Sequence, residues 1–138
     1  MEKNAEQELN FKFQMLEQQI MAIQQQLQAI EQTLLDMTSL NLGLDEIKKD
    51  KEILSPVGAG IFAKAKLISE ELIVAIGEKN YIKKSIPETK KLIQEQIMKL
   101  ERVKGSLEGE FEKINEEITR TMIEHQGKIT NNSNIQKN

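Results

Sequence analysis

Apolar side chains recur along the first part of the chain at spacings that alternate between four and three. They fall at Leu9, Phe13, Leu16, Ile20, Ile23, Leu27, Ile30, Leu34 and Met37 without a break. That alternation is a heptad repeat, which holds one apolar seam along a supercoiled helix. Between Phe13 and Met37 the only apolar residues off the seam are Met15, Met21, Ala22, Ala29 and Leu35, and Gln fills most of the rest. Gln is a good helix former at exposed positions. The pattern predicts a helix over residues 9–42, with Asn41 and Gly43 supplying its stop.

A second heptad frame occupies the last third. Ser85-Ile86-Pro87-Glu88 reads as a capping box with proline in the first turn. The frame then runs through Ile93, Ile97, Leu100, Lys104, Leu107, Phe111, Ile114, Ile118, Thr121 and His125. Lys104 interrupts the seam, and Thr121 and His125 dilute its far end. A helix is expected over 85–126, and the Asn-rich stretch after Gly127 predicts a disordered tail over 127–138.

Between the helices, over residues 45–84, the heptad period stops. Ile53-Leu54-Ser55-Pro56-Val57 is a short apolar run in which Pro56 suits an edge strand. Gly58-Ala59-Gly60 turns the chain into Ile61–Lys66, where Lys64 and Lys66 share the face of Phe62. Leu72–Ile76 is continuously apolar, the pattern of a strand covered on both faces. Gly77-Glu78-Lys79-Asn80 turns into Tyr81-Ile82-Lys83-Lys84. Four short strands separated by such turns predict two β-hairpins. Two lone hairpins are marginal in water, so sheet partners from other chains are expected.

The expected fold is mainly α with a small β insert: helix, four strands, helix. Two helices of roughly 32–40 residues would each reach about 50–60 Å. If each seam covers the other, they form an antiparallel coiled coil with the insert at one end and both termini at the other. The flanking residues Glu17, Gln19, Gln24, Gln26 and Glu31 on the first helix face Glu101, Glu108, Glu110 and Glu117 on the second. These are not complementary in sign, so connectivity and apolar matching are expected to set the orientation.

Composition narrows the function. The 138 residues carry a formal net charge of −3, and the first helix has no basic residue between Phe13 and Leu40. Both facts argue against a nucleic-acid grip. There is no Cys and a single His, His125, which leaves no common zinc set. Gly58-Ala59-Gly60 lacks the Lys-Ser/Thr of a phosphate loop and leads into a strand. No catalytic, cofactor or metal residues are assigned, and an enzyme is not expected. The opening residues lack a signal-peptide pattern, and no apolar run approaches a bilayer span, so a cytoplasmic protein is expected.

The insert resembles that of prefoldin. Residues 53–65, an apolar-Pro-apolar-Gly-x-Gly run leading into a Lys-bearing strand, are similar to the first hairpin of prefoldin alpha subunits. Gly77 through Lys84 resembles the second, with Glu78-Lys79-Asn80 in place of a smaller Gly-containing turn and Lys83 where an acidic residue is usual. The resemblance covers residues 9–125, and four strands rather than two point to the alpha class. It implies a hexamer of two alpha and four beta prefoldin subunits joined through their β modules. It also implies arm tips that hold unfolded client proteins without nucleotide and pass them to a group II chaperonin.

On that resemblance, the apolar residues near the free end are the candidate client contacts: Leu9, Phe11, Phe13, Met15, Met122 and Ile123. Phe11, Met15, Met122 and Ile123 lie off the seams. The alternative is that these residues close the end of the coiled coil or form an additional seam. Ile53, Val57, Ile61, Leu72, Val74, Ile76 and Tyr81 are the candidate assembly residues, in a barrel shared between subunits or in an internal mini-core. The competing function is a tethering coiled coil with one folded partner.

Overall fold

The computed structural model describes residues 2–136, with side chains for 4–127. Six elements follow in order: α1 (Glu2–Leu44), β1 (Glu52–Gly58), β2 (Ile61–Lys66), β3 (Leu72–Gly77), β4 (Asn80–Lys84) and α2 (Ile86–Gln136). The chain forms two units. One joins α1 up to Glu31 with α2 from Glu101 onward; the other comprises residues 32–100.

Both seams appear as written in the sequence. From Leu9 to Leu44 every fourth or third residue of the frame is buried or half-buried, and every residue between is exposed. The same holds on α2 from Ile93 to His125, Lys104 included. In the unit containing the chain ends, the buried residues among those described are Leu16, Ile23 and Thr121. Thr121 satisfies its hydroxyl by donating to the Glu117 carbonyl, 2.7 Å away. In the other unit Leu44, Ile93 and Ile97 form the core, with Leu34, Met37, Ile47, Leu72 and Ile86 packed against it. Among the described residues no large side chain is fully enclosed, because a two-helix seam has no second layer.

The helix pairing is antiparallel in each unit, and charge contributes to it, contrary to the expectation from the flanking residues. Lys12 meets Glu117 at 3.5 Å and Lys104 meets Glu31 at 3.7 Å, both in the first unit. Lys90 pairs with Asp45 in the second. Two of these lysines sit on the seam itself, so inspection of flanking positions misses them.

The helix limits differ from expectation at three ends. α1 begins at Glu2 rather than near Leu9. At its other end Gly43 is not in the left-handed cap conformation. The chain instead leaves through tightened turns, with the N–H groups of Asp45, Glu46 and Ile47 donating to the carbonyls of Leu42, Gly43 and Leu44. α2 starts as its cap predicts: the Glu88 N–H donates to Ser85 Oγ at 3.2 Å. It then continues through Gln136, where a disordered tail over 127–138 is expected from composition. Gly127 costs a helix interior about 1 kcal/mol, and no proline follows to stop propagation. Residues 137 and 138 lie outside the described residues.

Candidate functional site

The β insert holds two separate antiparallel hairpins, β1–β2 and β3–β4. In the first, Ile53 pairs with Ala65, Leu54 with Lys64, Ser55 with Ala63, Pro56 with Phe62 and Gly58 with Ile61. Val57 is thus an extra residue, a bulge just before the loop. In the second, Leu72 pairs with Lys84, Ile73 with Lys83, Val74 with Ile82, Ala75 with Tyr81 and Gly77 with Asn80, so Ile76 is the corresponding bulge. Each loop has two central residues with positive φ: Ala59 and Gly60 at 49° and 78°, Glu78 and Lys79 at 50° and 62°. That is the twist-matched geometry of tight hairpins.

The hairpins are therefore copies of one design, offset by 19 residues. Glu52, Gly58 and Lys64 recur as Glu71, Gly77 and Lys83, while Leu54 and Phe62 recur as Ile73 and Tyr81. This repeat decides which faces are free. Leu72 and Val74, with Ile82 opposite, are half-buried, and Leu72 packs on the helical core of its own unit. The other face of each hairpin is open: Leu54 is 65% exposed and Phe62 57%, Ile73 70% and Tyr81 65%.

The candidate assembly residues thus divide. Leu72 packs on the chain's own core, and Val74 is half-buried. Ile53, Val57, Ile61, Ile76 and Tyr81 are exposed, the two bulge residues among them. β3, with a pattern expected for cover on both faces, has its Ile73 face bare in the single chain. Sequence reasoning passes over Leu54, Phe62 and Ile73; the 19-residue repeat is the signal that finds them.

The candidate client contacts also divide. Leu9 and Phe13 are half-buried in the seam. Phe11, Met15, Met122 and Ile123 are exposed, Phe11 and Ile123 by 63% each. All six belong to the unit that contains both chain ends. His125 is half-buried on the α2 seam. Among the described residues no three acidic or histidine side chains gather as a metal set, and no helix is long and apolar enough to cross a membrane.

Comparison with known proteins agrees with this architecture. Residues 9–130 match the Prefoldin family model, described as prefoldin subunit. Prefoldin subunit alpha of Methanosphaera stadtmanae is 36% identical over 81 residues, covering 57% of this chain and 59% of that protein. Prefoldin subunit alpha 1 of Methanocaldococcus jannaschii is 28% identical over 86 residues, covering 62% of this chain and 61% of its own length. The matches thus span about six tenths of these relatives. A cryo-EM structure of filamentous PFD from M. jannaschii superposes with a TM-score of 0.69 at 19% identity, over 83% of this chain and 98% of that one. The matched length, the four-strand insert between heptad helices and the alpha-subunit relatives lead to one conclusion: the chain belongs to the prefoldin family, as a subunit of the alpha type.

Proposed function

We propose that this chain is the alpha component of an ATP-independent holding chaperone of the cytoplasm. As a prefoldin subunit it is a chaperone component rather than an enzyme, and the family assembles from several such subunits. In the reading offered here, its hairpins join a second alpha and four beta subunits in a hexamer. Its helix ends hold unfolded clients and pass them to a group II chaperonin.

The observation that supports client capture is the exposure of Phe11, Met15, Met122 and Ile123 beside a seam that is already filled. These side chains are not unfinished core. Met in particular adapts its shape to varied apolar surfaces. Each contributes on the order of 1–2 kcal/mol when covered. One arm is therefore a weak binder, and several arms acting together supply the affinity.

The test is light scattering of an unrelated protein diluted from denaturant, without ATP, in the presence of the chain and a beta-class partner. Suppression of aggregation that needs both chains is expected. Removing residues 1–15 and 122–138 should abolish it while leaving assembly intact. Full suppression by the trimmed protein would overturn capture at the ends; no suppression by a confirmed hexamer would favour a dedicated tether.

A further inference from the structure

Apolar matching leaves the register of a heptad coiled coil undecided. A seam that repeats every seven residues packs almost as well after a slip of seven, and polar seam residues are what break such degeneracy. Residues 45–49, through which α1 leaves into the insert, are turn and coil rather than helix.

Carried back from Ile93, the α2 frame puts Lys90 as well as Lys104 on the seam, 14 residues apart. Both are half-buried, with side chains 30% and 33% exposed. Their partners on the first helix and its exit turn are Asp45 and Glu31, also 14 residues apart and each flanking the α1 seam on the same side. Lys104 additionally reaches Glu108 on its own helix at 3.9 Å, which orients it.

We propose that Lys90 and Lys104 form a two-point register lock that selects one antiparallel alignment of α1 and α2. A slip by one heptad places Lys104 opposite Gln24 or Thr38, both neutral. In one direction Lys90 also meets Thr38; in the other its counterpart is Glu52, which lies in β1 and not on a helix. Only the observed alignment gives both lysines an acid. The lock gives up two apolar seam positions for specificity, and one of them, Lys104, is the interruption visible in the sequence.

The chain contains no Cys, so two introduced cysteines carry the only spin labels. Labels at Gln28 and Glu101, both exposed and in one unit, report the alignment of the full-length chain by electron–electron double resonance. The parent should give one distance. Lys90→Leu with Lys104→Leu should add a second population displaced along the helix by about 10 Å, the rise of seven residues. Glu31→Lys should do the same, and Lys104→Glu in that background should restore the single peak. A single unchanged distance in the double leucine variant would overturn the lock. If that variant does not fold, the charge exchange decides: restoration supports the lock, and no restoration overturns it.

Discussion

Glu78 and Lys79 hold positive φ in a two-residue loop whose counterpart in the first hairpin contains Gly60. A side chain in that conformation costs roughly 1–2 kcal/mol, which glycine avoids. Lys79→Gly is therefore expected to stabilise the chain by about 1 kcal/mol. Urea denaturation of the full-length protein measures this, and an unchanged midpoint would show that the loop conformation is not strained. Gly58 through Gly60 announces its turn in the sequence; Glu78-Lys79 does so only by its place between Gly77 and Asn80. Lys104 shows the opposite limit. Its interruption of the seam is visible by counting, but its partner Glu31 is far away in sequence, and no periodicity names a partner before the alignment is known. Lys90 escapes notice because the frame becomes regular only from Ile93.

The elements themselves are largely legible. Both helices, their seams, all four strands and the pairing of strands into hairpins follow from period and turn residues. Helix ends are less so, since caps compete with cheap propagation: Gly43 and Gly127 both lie inside or at a helix that composition would stop. Ser85 is the end that local chemistry fixes. Its hydroxyl accepts from Glu88, and its carbonyl accepts from the Thr89 N–H and hydroxyl at 3.1 and 2.8 Å. Ser85→Ala should cost about 1 kcal/mol, whereas Ser85→Asp should retain the cap. Thermal unfolding followed by circular dichroism separates the two. A Ser85→Ala variant as stable as the parent would show that the serine hydroxyl contributes nothing. Which hairpin face is free was not legible from alternation alone, because nearly every residue of β3 is apolar; burial of Leu72 against the helical core breaks that tie.

At the scale of the whole molecule, the open hairpin faces are where the proposed assembly is tested. Phe62→Glu together with Tyr81→Glu places a charge at the equivalent point of both copies. In sedimentation velocity with a beta-class partner, the pair is expected to eliminate the large species while helical signal is kept. Persistence of that species would place the contacts elsewhere, on Ile53, Ile61 or the strand edges. Changes confined to Phe11, Met15, Met122 and Ile123 should leave sedimentation unaltered and lower only client protection. The thin core has a further consequence. Toward the chain ends the seam has no insert packed on it, and among the described residues no large side chain is fully buried. Opening the helix pair from the chain ends then costs only the layers opened, and need not be all-or-none. Amide hydrogen exchange should accordingly form a gradient along α1, fastest near Leu9 and slowing toward Leu44. The protein would loosen as a zipper does, with no single temperature describing the whole of its melting.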